Sequence, residues 1–552
     1  MNEAVFFQIE AARASTTDPV SQLIVAAILV GVFTLLTIEA AHRVVVVLGA
    51  VAVLWLVTYL TPYHLLSFEG TASALDLNVL VLLAGMMAVV GVLKTTGIFE
   101  WSVARLLTRA RGRPVLVLGL VAWFTALASA FLDNVTTVVF MTPMSIGLAR
   151  QLRLAPAAVL LPMVMASNIG GTATLIGDPP NIMIGSGAGL SFIDFIENLT
   201  PPIIVMMFWL VFYSERYYRR ELKEAREGET TPITVQPLAD LDLTRWMAVI
   251  CVGILVGFLT HHMTGMPAAV PATIGAAAAL IVQDRLYIRR NHPTPSERIH
   301  GVLSVTERDI EWPTLAFFGF LFIIVGAAVE TGLIGNMASA LQSGITSGSQ
   351  ALGLSPAGTL FFAAVIICWV SGVMSALIDN IPFVAVAIPV VAQLTGGLSG
   401  ETEVLWWALS LGACLGGNAT PIGASANVTT LGMAEREGAR ISFRAFTRFG
   451  AVVAFGTLVI ATAWLAVFIF VGKSTADWSA AGLVVVLSAL HMLRRKVRDS
   501  LLVTRGSADY FFDSRANTPF TAPAIIRLTA DIETPPGSSD GIVAKPIAEA
   551  LG

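Results

Sequence analysis

Apolar runs of about 20 residues, the length that crosses a bilayer core as a helix, recur along most of the chain. They predict spans near 22–40, 44–61, 77–98, 200–218, 245–261, 268–284, 312–334, 449–472 and 478–493. Two longer spans, 156–190 and 403–433, are interrupted by glycine and polar residues. Two further runs, 114–149 and 357–394, each hold a polar pair near the middle: Asp133-Asn134 and Asp379-Asn380.

These polar breaks are stated twice. Ser129-Ala130-Phe131-Leu132-Asp133-Asn134 recurs as Ser375-Ala376-Leu377-Ile378-Asp379-Asn380, 246 residues later. The stretch from Asn168 to Gly177 recurs from Cys414 to Gly423 at the same offset, so the copies stay in register from Ser129 to Asn181. Duplicated breaks of this kind mark a secondary transporter whose site lies between two internal repeats.

Charge then orders the spans. Basic residues collect around 105–113, 150–153, 216–226, 285–298, 436–448 and 494–498, whereas connections 62–77, 191–200, 262–267, 335–356 and 395–403 have no Lys or Arg. Lys473 is the one exception. The positive-inside rule makes the basic clusters cytoplasmic. The run 114–149 has basic clusters at both ends and 357–394 at neither, so each reads as a re-entrant hairpin, the two of opposite orientation. The expected fold is an all-α polytopic membrane protein with eleven spans, two re-entrant hairpins and two halves of inverted topology. Its parts are an external N-terminal segment 1–21, a first half 22–261, a second half 262–496, and a cytoplasmic, largely disordered tail 497–552 rich in proline. The short loops suggest a bacterial plasma membrane, with the N-terminus outside and the C-terminus cytoplasmic.

Composition agrees: 55% of the 552 residues are hydrophobic and 13% charged, with mean hydropathy +0.77. The N-terminus lacks the basic region of a signal peptide, so the run from Gln22 reads as a retained span. No basic arm for nucleic acid appears, and the three cysteines lie in apolar segments, so no disulfide framework is implied. No complete P-loop occurs, so energy comes from an ion gradient, Na⁺ or H⁺, unless a separate ATPase subunit supplies it. No other cofactor is expected.

The chemistry falls on the duplicated blocks. Asp133-Asn134 and Asp379-Asn380 would sit at hairpin tips near the midplane, where helix termini expose unpaired N–H and C=O groups. An Asn amide offers donor and acceptor, and a carboxylate is a Na⁺ ligand or a proton carrier. The plainer alternative is that each Asp only caps the following helix. Gly171, Thr172 and Thr174, with Gly417, Asn418 and Thr420, would unwind a helix and free oxygen ligands for a hard cation. Close packing through small residues is the competing account. Asn168, Thr137, Asn181 and Asn427 add polar groups, and Asp178 has no acidic counterpart in the second half. That makes Asp178 a candidate for an asymmetric coupling step or a cap. Lys94 and Glu330 are expected to snorkel, His42-Arg43 to anchor the first span, and His261-His262 to lie in an external loop.

Phe131-Leu132-Asp133-Asn134-Val135-Thr136-Thr137, the stretch Asn168 to Asn181, and Ile310-Glu311-Trp312-Pro313-Thr314-Leu315 resemble the pigmentation P-protein type permeases. These belong to the ion transporter superfamily, beside arsenite permeases, Na⁺/H⁺ antiporters and citrate and dicarboxylate transporters. The resemblance covers roughly 22–472. It implies a homodimer, with a scaffold and an elevator-like transport domain that carries both hairpins. It also implies cation and substrate sites at the Asn134 and Asn380 tips and the Gly171 and Gly417 loops. The carboxylate transporters carry Ser-Asn-Thr at these tips, where this chain has Asp133-Asn134-Val135 and Asp379-Asn380-Ile381.

The resulting reading is a secondary active transporter of a small ion or solute, coupled to Na⁺ or H⁺. The matched blocks contain no Lys or Arg, which argues for a cation or neutral solute. The alternatives are an arsenite or di/tricarboxylate permease and a passive anion channel. An intramembrane protease built on Asp133 and Asp379 fits the Gly-Gly companions less well, so no enzyme is expected.

Overall fold

Proline and short capping side chains decide where the helices start. Pro19, Pro114, Pro156, Pro179 and Pro356 each open a helix, where the missing N–H costs nothing. In the computed structural model, which describes residues 18–38, 40–110, 113–226, 238–291 and 307–472, every regular element is helical.

Helices α1 (Pro19–Thr37), α2 (Arg43–Leu60) and the short α3 (Phe68–Ala74) precede the first repeat. That repeat runs α4 (Leu77–Lys94), α5 (Ile98–Ala110), the hairpin α6 (Pro114–Phe131) and α7 (Asn134–Gln151), the broken span α8 (Pro156–Gly171) and α9 (Pro179–Ala188), then α10 (Phe192–Tyr217). Helices α11 (Arg219–Arg226), α12 (Leu241–Thr264) and α13 (Ala269–Asn291) lead to the second repeat. There α14 (Trp312–Glu330), α15 (Leu333–Ala351), the hairpin α16 (Pro356–Leu377) and α17 (Asn380–Gly397), the broken span α18 (Val404–Gly416) and α19 (Ser425–Arg436), and α20 (Phe443–Val471) repeat the order. The second break is two 3-10 turns, Gly417–Ala419 and Pro421–Gly423.

Eleven described helices are long and apolar enough to cross a membrane. Eight correspond to uninterrupted spans expected from the sequence, and three are hairpin arms, α6, α16 and α17. The last expected span at 478–493, the tail 497–552 and the N-terminal segment through residue 17 lie outside the described residues. Several polar connections are themselves helical. Connection 335–356 is mostly α15, 62–77 contains α3, and α10 starts eight residues early because Ser191 and Asp194 form a capping box. Helix α15 escaped the hydropathy pattern because it is amphipathic, burying Ile334, Ala338 and Ile345 along one face.

Long-range polar contacts sort the connections into the two groups that charge had separated. Lys94 pairs with Asp309 at 3.4 Å, Arg150 with Glu437 at 3.6 Å, and Arg290 with Asp240 and Asp242. These join the basic connections. At the other end Asn78 bonds Ser186 and Ala269, Phe192 N–H donates to His261, and Asn336 bonds Gln22. Lys94 therefore does more than snorkel: it also lies 5.6 Å from the Phe140 ring. His261 is in the last turn of α12, tied to the start of α10.

The two repeats interlock. Helix α9 of the first packs on hairpin arm α17 of the second, and α19 packs on α7 in return.

Candidate ion and solute site

Each repeat builds the same local unit from a hairpin tip and a broken span. Thr174 Oγ1 donates to the Ala130 carbonyl at 2.5 Å, and its repeat mate Thr420 donates to Ala376 at 2.6 Å. Asn181 Nδ2 donates to Thr172 and Thr174 carbonyls at 3.0 and 2.9 Å; Asn427 Nδ2 donates to Gly417 and Thr420 carbonyls at 2.8 and 3.0 Å. Both asparagines thus hold open the carbonyls that the helix break released. A Cβ added at Gly170 would lie 2.2 Å from the Ala126 carbonyl oxygen, and one at Gly416 would lie 2.2 Å from that of Gly372. The glycines consequently serve both accounts: α8 ends at Gly171 and α18 at Gly416, and the backbones touch.

The units meet through amides. Asn134 Nδ2 donates to Asn168 Oδ1 at 3.2 Å, and Asn168 Nδ2 donates to Asn418 Oδ1 at 2.9 Å and Asn427 Oδ1 at 3.0 Å. In the mirrored direction Cys414, the repeat mate of Asn168, reaches Asn181 Oδ1 at 3.6 Å, and Ser410 Oγ donates to the same atom at 2.6 Å. Asn134, Asn168, Asn181, Asn418 and Asn427 thus form one buried polar seam between the repeats, with Thr172 and Thr174 bonded at its edge.

Several buried polar atoms in this seam have no hydrogen-bond partner: Asn134 Oδ1, Thr137 Oγ1, Asn380 Nδ2, Asn418 Nδ2 and both carboxylate oxygens of Asp178. Asp178 is 1% exposed and lies beside Asn380 and Cys414. It precedes α9 without capping it, so the capping alternative does not describe this residue. Orphaned buried oxygens cost free energy unless an ion, proton or water completes them. The oxygens of Asn134, Thr137 and Asp178 suit a hard cation, and the Gly417 carbonyl already accepts from Asn427 while keeping a second lone pair.

The two tip aspartates differ. Asp133 caps α7, accepting from Thr136 N–H at 2.8 Å and from the Thr136 hydroxyl. Asp379 makes no cap bond. It accepts from Ser425 Oγ at 2.7 Å and lies 3.9 Å from Arg43 Nη1, which itself donates to Ser425 at 3.1 Å. These groups line a cavity of about 450 Å³ with His42, Thr37 and Phe317. Arg43 is therefore more than an anchor of the first span. Asp379 also stands level with the α1–α2 turn rather than halfway along those spans, because its arms are themselves span-length.

The family model described as Citrate transporter matches residues 33–412, including both hairpins and their tips. The chain belongs to this citrate transporter family. An uncharacterized transporter of Mycobacterium tuberculosis is 37% identical over 442 residues, covering 79% of this chain and 96% of that protein. The human P protein is 30% identical over 511 residues, covering 77% of this chain and 57% of that protein, in agreement with the resemblance read from the motifs. Among solved structures, the Alcanivorax borkumensis YdaH transporter superposes with a TM-score of 0.51 at 16% identity, covering 78% of this chain and 98% of that one. That likeness concerns the fold alone. The chain is thus a polytopic integral membrane transporter of the citrate transporter family.

Sequence reasoning missed Arg43, Ser425, Ser410 and Ser167 as site neighbours. Ser167 Oγ donates to the Asn134 carbonyl at 3.1 Å. Ser425 and Ser410 had a signal, lying within or beside the duplicated blocks. Arg43 had none, since its contact spans 336 positions to Asp379.

Proposed function

We propose that this family member is a secondary active transporter in which H⁺ or Na⁺ binding at the seam couples to movement of a small ion or solute. Asp178 carries the reading: a buried carboxylate with no close hydrogen bond and, among the described residues, no ion pair, only Cys414 and Asn380 within looser reach, contributed by the first repeat and set against the second hairpin. A buried carboxylate facing the acids Asp379 and Asp133 without a cation of its own is costly when charged, so the residue is a natural proton or cation acceptor. Asn134, Thr137 and Asn418 supply the remaining polar groups. Asp133, Asn168, Gly171, Thr172, Thr174, Asn181, Asp379, Asn380, Gly417, Thr420 and Asn427 shape and border the site.

The hairpin and broken-span units would move together as an elevator against α4, α13 and α14, within a homodimer. Lys94 and Asp309, at the ends of α4 and before α14, meet α7 at Phe140 and not at its base.

A second reading, transport of a carboxylate, is favoured by the Arg43 cavity. The absence of basic side chains from the repeated blocks had argued against an anion, but Arg43 and His42 supply them from outside. The family description also makes citrate the first carboxylate to try.

Purified protein in liposomes with a trapped pH dye separates these readings. Na⁺, Li⁺, K⁺, citrate, arsenite and phosphate are added in turn. Proton flux evoked by Na⁺ or Li⁺ and lost in Asp178→Asn supports cation/proton antiport. A response to citrate alone supports the carboxylate reading. Full coupling in Asp178→Asn sinks Asp178 as the coupling group, and flux indifferent to every gradient makes the protein a channel.

A further inference from the structure

The end of α10, α11 and the start of α20 carry charge that the transport site does not use. Arg216, Arg219, Arg220 and Lys223 line an open groove of about 570 Å³ with Tyr217, Tyr218 and Glu221. Arg444 and Arg448 line a second groove of about 600 Å³ with Phe443 and Thr447. The grooves adjoin: Phe449 of α20 packs on Tyr213 and Tyr217 of α10 at centroid distances of 5.2 and 5.3 Å, and Arg448 faces Tyr213. All six cations are exposed, and none forms an ion pair with another described residue. The neighbouring acids are Glu215, Glu221 and Glu224, fewer than the cations, and Glu221 turns toward Ala155.

The aromatic side chains of this face point to a ligand. Phe443 and Tyr217 stand 58% and 40% exposed beside the cations, at the ends of two long apolar helices. Aromatic residues at such ends sit at headgroup depth, and basic clusters there attract anionic lipid.

We propose that this face binds the phosphate of an anionic phospholipid. Arg444 and Arg448 pair with the phosphate, and Phe443 lies along the acyl chain. The Arg216–Lys223 cluster draws further headgroups to the same rim. Free phosphate and an acidic protein would leave the exposed aromatics without apolar cover; a lipid covers them. The face also reaches the transport machinery. Helix α11 buries Leu222 and packs on α6, and Tyr218 Oη donates to the Ala157 carbonyl at the start of α8. Bound lipid therefore steadies the base of the first hairpin and broken span.

The test titrates the purified full chain in neutral detergent with phosphatidylglycerol, phosphatidylcholine or inorganic phosphate, following Tm and, by native mass spectrometry, retained lipid. Phosphatidylglycerol alone should raise Tm. The double variant Arg444→Gln/Arg448→Gln should weaken its apparent affinity about thirtyfold. Arg285→Gln/Arg289→Gln, an equal loss of charge on α13, should leave it unchanged. Equal stabilisation by inorganic phosphate, an equal effect of both arginine pairs, or no preference over phosphatidylcholine would each overturn the proposal.

Discussion

Asp133 and Asp379 hold matched places in the two repeats, each one residue before the second arm of its hairpin, and they find their donors in opposite ways, with Asp379 Oδ1 left unpartnered. Asp133 bonds within its own turn, to the N–H and hydroxyl of Thr136. Asp379 bonds across the fold, to Ser425 on α19 and toward Arg43 on α2. The cause is one residue. The repeat mate of Thr136 is Pro382, which has neither an N–H nor a hydroxyl to offer. A carboxylate denied its local donors must take distant ones, so the second tip is tied to a helix outside the repeat and the first is self-contained. Duplicated sequence therefore did not give duplicated electrostatics.

What the repeats share should break alike. Gly170→Ala and Gly416→Ala each drive a methyl into a facing carbonyl, and overpacking of this kind costs about 1–3 kcal/mol or more. Both should lower Tm and folded yield by similar amounts in fluorescence-detected gel filtration. A large effect at one glycine only would mean the two units are not equivalent in packing.

What they do not share should break separately. Arg43→Gln and Asp379→Asn should each lower stability, but the double variant should lose less than the two together. The coupling expected of contacting groups is about 0.5–3 kcal/mol, near the low end here because both side chains are partly exposed. Strict additivity would show that the Arg43 contact carries no energy.

A smaller effect is expected at the first tip. Asp133→Ala should cost about 1 kcal/mol as a lost cap, and Asp133→Ser should recover most of it. Pro382→Thr should in turn allow Asp379 a local cap and weaken the penalty of Arg43→Gln. If Asp133→Ser abolishes transport while leaving Tm intact, Asp133 does more than cap.

The smallest effect lies away from both tips. Paired hydrogen bonds from Arg290 hold the Asp240 carboxyl, at the head of α12, below its ordinary value. A depressed folded-state value means this stabilisation is present at neutral pH and fades as pH falls below about 4. Asp240→Asn should accordingly lower Tm slightly at pH 7, by an amount that shrinks steadily as pH falls below about 4. A Tm shift that stays equal as pH falls would rule out the ion pair as the cause.

The chain alone determined a great deal, because lipid allows few choices. Backbone polar groups must be satisfied within a segment, so apolar runs become helices, and charge in the connections separated the two ends that the tertiary contacts then joined. The duplicated Asp-Asn and Gly-Gly blocks located the seam, and the break at Gly171 and Gly417 followed from glycine and polar residues inside apolar spans. Hydropathy was blind to α15, whose polar face hides its buried one. It was equally blind to partner choice. Only the fold could set Asp178 beside Asn380, pass a hydrogen bond from Asn168 to Asn427, or bring Arg43 to Asp379, since each contact joins positions far apart in the chain. Residue pattern reports the local period and the transfer free energy of a segment; which polar atom meets which is settled only when the segments pack.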